Sequence, residues 1–459
     1  MNRKMGMKPA RFIPLGRGRD LLLLGLVLAG PVLPAARADG TPSPTRAAGP
    51  AREASLEERM VLAAPTEAEA EDGVIAGWQN RIKAGQLTPG NFERLGWAYV
   101  AKARRTLDAG YYQLAGQTAD AMDARFGPTD EALLLRGHVD HNLHRFRAAE
   151  GVARELVARR GLAFDYGLLS DALMEQGRLP EAVAACAQMM RLKPGLEAYS
   201  RAANLRWLTG DLPGAIQAME AAVRAGSPLD ATNAAWTLSR LSGYYGQAGR
   251  NGEALAAAEA ALRLAPEYPP ALLGRGRALV ALGQTEPAIP PLRLAEWLNP
   301  LPEYQWWLAD ALRLAGRTDE AAAVEARLEA RGAAADPRTF ALFLATRGRE
   351  PVRAVELARA ELLNRGDVFT EDALAWALAQ QRDYPGAEAA IQRALASRTR
   401  DARLFLHAGE IALRRGQPDS ARAYFAEALP LAGTLTPSER ALLDRVFPSP
   451  SRPTQMHKS

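Results

Sequence analysis

Three of the chain's five histidines crowd into the stretch RGHVDHNLHRF, as His138, His141 and His144. On a helix, steps of three residues fan them over about 120° of one face, so adjacent pairs could share a metal ion. A metal carrier or a metal-dependent enzyme is one reading. A metal site needs further well-placed ligands, however, and Asp140 points elsewhere on the wheel. The competing reading has His138 and His141 as polar contacts to a partner on a helix face, with His144 in a turn. Cys186 is the single cysteine. It can form neither an intramolecular disulfide nor a thiolate zinc site, and it sits at an apolar helix position where a free thiol behaves as a small hydrophobe. GRGRAL at Gly274 lacks a preceding strand and has Leu279 where a dinucleotide loop needs its third glycine. No GxSxG, HExxH or GxxxxGK occurs, and carboxylate pairs such as Glu57 and Glu58 suit solvated helix faces. No seat for catalysis is visible. The expectation is a non-enzyme without cofactor.

The totals narrow the classes further. With 459 residues, 48% hydrophobic and 24% charged, the chain can bury a substantial core. Its formal charge of +5 suggests nucleic acid until the charges are located. Arg3, Lys4, Lys8, Arg11, Arg17, Arg19 and Arg37 precede residue 39, opposed there only by Asp20, so the remainder carries −1. A near-neutral body gives no electrostatic reason to bind phosphate backbones. The same region has a basic start, the apolar run LLLLGLVLAGPVLPAA and the small-residue site Ala36-Arg37-Ala38, the three parts of a secretory signal. Cleavage after Ala38 is expected, giving a periplasmic or secreted protein without stable membrane insertion. An uncleaved anchor is the alternative, but Pro31 and Pro34 interrupt the run, and it falls short of the ~20 apolar residues of a spanning helix.

Residues 39–72 shift to Ala, Pro, Thr and Glu and read as a disordered tether, with room for one short helix begun by the capping box Ser55-Leu56-Glu57-Glu58. From 73 to 432 nearly everything reads as helix. In LSDALMEQGRLPEAVAACAQMMRLKP, Leu169, Leu173 and Met174 share one face. After Gly177, Ala182, Val183, Cys186, Met189 and Met190 share another. These are two amphipathic helices joined at a left-handed turn, with the small Ser170 and Ala182 allowing close backbone approach. The turn glycine recurs as Gly210, Gly249, Gly283, Gly316, Gly348 and Gly416, with Arg382 at the middle of the last, double step. A period near 34 with two helices per unit marks a helical repeat array. Extra residues at Arg104–Gly110 and Ser227–Thr232, and a one-residue slip near Gly348, are expected to perturb the stacking.

This pattern resembles the tetratricopeptide repeat. Tyr166, Leu169, Ser170, Leu173, Ala182, Cys186, Met189 and Pro194 stand at its signature places, and Leu238 to Pro266, Leu272 to Pro300 and Phe405 to Ala428 repeat them. The resemblance implies an all-α fold, a right-handed superhelical solenoid of nine to ten hairpins, with residues 433–459 forming a capping helix from Thr436 and a disordered tail. It also implies that certain first-helix positions line a concave groove that binds a protein or peptide. Carried across, these are His138, His141, Asp171, Asn204, Trp207, Arg277, Trp306, Asp310, Arg313, Trp376, Glu410 and Arg414. Their mixed charge argues against a single strongly acidic or basic ligand, and each Trp is open to a core role instead. The function expected is an exported scaffold holding a protein or peptide in an envelope assembly. The alternatives are a metal protein using His138, His141 and His144, and a membrane-anchored scaffold.

Overall fold

The computed structural model describes residues 56–63, 70–106, 108–227 and 230–448. The signal expected at 1–38, most of the tether and the tail after 448 lie outside the described residues. Two short helices come first, α1 (Leu56–Val61) and α2 (Ala70–Lys83), so the stretch expected to be a tether is folded at 56–63 and again from residue 70. The first packs onto the array: Val61 is buried, its carbonyl accepts Gln79 Nε2 at 3.0 Å, and Glu58 pairs with Arg125.

Ten helical hairpins follow among the described residues: α3 (Pro89–Thr106) with α4 (Gly110–Phe126), α5 (Asp130–Asn142) with α6 (Phe146–Arg159), α7 (Ala163–Glu175) with α8 (Leu179–Leu192), α9 (Leu196–Leu208) with α10 (Leu212–Ala225), α11 (Ala231–Gln247) with α12 (Asn251–Leu264), α13 (Pro269–Ala281) with α14 (Thr285–Leu298), α15 (Pro302–Leu314) with α16 (Thr318–Ala335), α17 (Pro337–Arg347) with α18 (Pro351–Leu362), α19 (Val368–Gln380) with α20 (Tyr384–Leu395), and α21 (Ala402–Arg414) with α22 (Pro418–Ala428). A 3-10 helix (Leu429–Thr434) and α23 (Pro437–Val446) close the chain. No strand occurs among the described residues. The starts are fixed by local chemistry: Asp211 accepts Gly214 N–H at 2.9 Å, and Asp367 accepts the N–H groups of Phe369 and Thr370 at 2.8 Å.

Each hairpin is tight because its first helix carries a small residue at the crossing. Ser170 Oγ donates to Ala182 O at 2.9 Å and Ser242 Oγ to Ala254 O at 2.7 Å. At Gly409 a methyl group would lie 2.3 Å from the Phe425 ring. Neighbouring hairpins share apolar clusters, such as Leu272, Leu292, Trp307, Leu308, Leu312 and Val324 from α13 to α16. No hairpin hides its apolar stripe alone, so stacking is the core.

The array also closes on itself. Gly177, the turn of the third hairpin, touches the link between the eighth and ninth, where a methyl group on it would lie 2.1 Å from Gly366 O. Gly210, the turn of the fourth, meets the link between the ninth and tenth, with Arg398 O 2.8 Å from such a methyl. Side chains stitch the same seam. Thr399 Oγ1 donates to Leu208 O at 2.7 Å, Trp207 Nε1 to Arg400 O at 3.1 Å, Gln247 Nε2 to Asp401 at 2.8 Å, and Arg365 pairs with Glu175 at 2.7 Å. The C-terminal ends of α7, α9 and α11 thus meet the N-terminal starts of α19 and α21. The Leu208 carbonyl at the end of α9 gains a donor in Thr399, and opposite ends of helix dipoles face each other.

Gly177 and Gly210 have positive φ, +74° and +92°, as does Gly249, whose Cβ would meet Pro430 O at 2.9 Å, but so does Gly316 at +78°, around which nothing lies within 4 Å. Arg382 adopts φ +65° where the glycine series breaks. Gly316→Ala should therefore cost only the backbone strain, about 1 kcal/mol. Gly177→Ala and Gly210→Ala should cost at least twice that, because backbone of the second superhelical turn must move. Arg382→Gly should gain up to about 1 kcal/mol. Chemical denaturation of the four variants checks this ordering, and equal losses at all three glycines would contradict the seam.

Candidate functional site

The first helices of the hairpins line the inside of the superhelix, and there the structure places the twelve positions drawn from the sequence. Among them, none is exposed. His138, His141, Asp171, Trp306, Asp310, Trp376 and Glu410 are buried, while Asn204, Trp207, Arg277, Arg313 and Arg414 are half-buried. The open groove expected from sequence is filled by the chain's own side chains and its C-terminal segment.

Near the N-terminal end, α5 carries His138 and His141. The His138 ring lies 5.1 Å from Trp97, and its Nε2 contacts the Arg104 guanidinium. His141 packs edge-on against Phe146, and its Nε2 has no partner among the described residues. Burial, then the Arg104 charge, holds the His138 imidazolium well below its ordinary range. Burial, then the Arg201 charge, pushes His141 down to about 3. His144 sits exposed in the turn at φ +58° and stacks on Phe146. No group of three or more His, Cys, Asp or Glu among the described residues could hold a metal ion. The metal reading of His138, His141 and His144 is therefore corrected: two are buried beside arginines, whose charge repels a cation, and the third faces outward.

The next positions are clamps between neighbours. Asp171 receives Arg201 in a two-pronged pair, Nε to Oδ1 at 2.9 Å and Nη2 to Oδ2 at 2.7 Å, both side chains buried. Asn204 Nδ2 lies 3.0 Å from Met174 Sδ, and its Oδ1 accepts Arg240 Nη2 at 3.2 Å. Trp207 belongs to the seam, packed between Tyr244 and Phe369. Arg277 lies over Trp307 and pairs with Glu303. Arg313 shares Glu325 with Arg347, at 2.9 and 3.0 Å.

The C-terminal half is the most enclosed. Trp306, 1% exposed, meets Phe343 edge-on at 5.8 Å beneath the Arg403 guanidinium. Trp376 donates to Thr346 Oγ1 at 3.1 Å, stacks on the His407 ring at 4.4 Å and carries Arg414 at 5.0 Å. Arg414 bonds Ala379 O and pairs with Glu410 at 3.3 Å. His407 Nδ1 lies 2.8 Å from Asp372 Oδ1, a buried pair absent from the sequence reading, as is Arg201. Asp310 bridges two elements: one oxygen binds Arg347, and the other accepts Ser438 N–H at 2.9 Å and Oγ–H at 2.5 Å. Trp306 and Trp376 are thus core residues. The most exposed Trp, at 74%, is instead Trp297 on α14.

Residues 168–231, 244–300 and 373–436 match the family described as the tetratricopeptide repeat. These three stretches are tetratricopeptide repeats. No curated protein matches the chain. Among solved structures it is similar to the one described as the APC/C hetero-tetramer Cut9-Hcn1, at 15% identity over 83% of this chain and 96% of that one, TM-score 0.34. It is also similar to the human IFIT1 dimer with PPP-AAAA, at 13% over 82% and 94%, TM-score 0.46. A third is MamA, at 18% over 36% and 94%, TM-score 0.30. Function has to be argued from the repeats themselves.

The buried histidines give a pH test. A histidine whose folded pKa is depressed contributes stability that is complete above its ordinary value of about 6.5 and is lost as pH falls toward about 3. Lowering the pH from 7 to 4.5 should therefore remove roughly 2 to 3 kcal/mol through His141 alone. His141→Gln should flatten the curve of unfolding free energy against pH over that range; curves parallel to wild type would show that His141 is not held neutral.

Proposed function

We propose that the chain is an exported scaffold that docks a protein or peptide on the inner face of its repeat array, within an assembly of the cell envelope. One observation carries this. The first helices of consecutive repeats set half-buried Trp, Asn and Arg side chains along one inward face, on a semi-rigid array of the kind used to bind proteins. The half-buried members, Asn204, Trp207, Arg277, Arg313 and Arg414, are the ones a partner reaches first.

Export rests on the sequence features before residue 39. No helix among the described residues is long and apolar enough to cross a membrane. N-terminal sequencing of the protein recovered from cells should give a free end near Asp39; an intact N-terminus in the membrane fraction would favour the anchored alternative. Crosslinking in living cells, followed by identification of the captured protein, tests the docking face. Arg277→Ala combined with Arg414→Ala should reduce capture at least fivefold while Trp297→Ala leaves it unchanged. Equal capture by both would reject the inner face.

A further inference from the structure

The inner face already holds a ligand, which is part of the same chain. The 3-10 helix packs against α11 and α13, and Leu431, Ala432 and Leu435 are buried there with α21 and α22. Beyond this anchor the backbone is extended at Leu435 and Thr436 before α23 begins. The first turn of α23 then enters the space between α15 and α21. Thr436 and Glu439 cap one another, with Thr436 N–H donating to Glu439 Oε2 at 2.9 Å. The same Glu439 receives the Arg403 guanidinium, Nη2 to Oε2 at 3.1 Å, and Ser438 donates twice to Asp310.

The character of this contact is unusual for a cap. Thr436 and Glu439 are fully buried, whereas in α23 itself only Glu439 and Leu443 are buried, Ala441 and Arg445 are exposed, and the remaining apolar side chains are half-covered. Leu443 anchors the helix in the apolar cluster of α21 and α22, while the insertion of its first turn rests on polar groups that must all be satisfied at once. A buried ion pair adds little net stability over apolar packing, but leaving one partner alone is costly. Such a site selects its occupant strictly. Only a segment offering a carboxylate to Arg403 and donors to Asp310 can take its place.

We propose that α23 is a self-ligand: its capped first turn, Thr436 to Glu439, occupies the docking site between α15 and α21, and the partner displaces it with a helix start of the same chemistry. That chemistry is a hydroxyl residue followed three positions later by Glu, preceding a short amphipathic helix. The proposal rests on the docking reading above and adds the class of partner and a closed resting state. Tethered to the array, the internal copy acts at an effective concentration of about 1 mM, so a free segment at micromolar concentration gains access only when the internal copy is weakened.

Two measurements on the full chain test this. Hydrogen exchange of the unmodified protein should show α23 amides exchanging at least tenfold faster than those of α21; exchange of both in one cooperative step would make α23 an integral part of the fold and overturn the idea. A fluorescently labelled peptide with the sequence of residues 434–447 should bind the double variant Ser438→Ala, Glu439→Gln at least tenfold more tightly than wild type, and Asp310→Ala added to that variant should abolish binding. A double variant with wild-type helical content that binds the peptide no better than wild type would also overturn it. If that variant unfolds, the exchange result on the unmodified chain decides. A crosslinked partner captured equally by wild type and the double variant would sink self-occupancy and spare the scaffold function. Peptide binding as expected, with nothing captured in cells, would do the reverse.

Discussion

Backbone carbonyls of the second superhelical turn rest on left-handed turns of the first, and that seam decides what the rest of the molecule can be. Gly366 O lies where a side chain on Gly177 would be, and Arg398 O does the same at Gly210. A turn glycine in a repeat array ordinarily serves only its own hairpin, as Gly316 does. Here three of them, Gly177, Gly210 and Gly249, whose Cβ would meet Pro430 O, serve the whole path of the chain, because only a residue without Cβ lets another backbone approach so closely. Closure follows, and with closure the inner face ceases to be solvent.

Once the interior is covered, its polar groups must find partners within the chain. Many do so across repeats, Asp171 with Arg201, Asp372 with His407 and Asp310 with both Arg347 and Ser438, while among the described residues His141 Nε2, Trp306 Nε1 and His407 Nε2 find none. Pairs of this kind add little to the free energy of folding and much to its specificity, since a shifted register would strand a buried charge. The apolar clusters supply the bulk of the stability, and the polar clamps choose one geometry. The same pairs give the inner face a chemical vocabulary of carboxylates facing arginines, in which α23 and any competitor for its place are written.

The hairpins were legible from local pattern. Helical periodicity, the left-handed turns and the small residue at each crossing are local facts, and Ser170 and Ala182 meet as their spacing implies. Closure was not legible, because Trp207 and Arg400 or Leu208 and Thr399 are nearly two hundred positions apart and nothing in either stretch announces the other. The twelve positions drawn as groove-lining are all buried or half-buried, and of the Trp residues left open between groove and core, Trp306 and Trp376 are core. The missed residues carried a faint signal. Arg201 and His407 stand about one repeat after the acids they bind, Asp171 and Asp372, a spacing that stacked first helices bring into contact.

Closure of the array is most directly measured by small-angle X-ray scattering of the protein lacking residues 1–38, in dilute solution. A body folded back on itself should show a radius of gyration of about 25 Å or less, close to the compact scaling for its length. Ten hairpins strung open at roughly 10 Å each would span ~100 Å. A radius of about 30 Å or more would contradict closure.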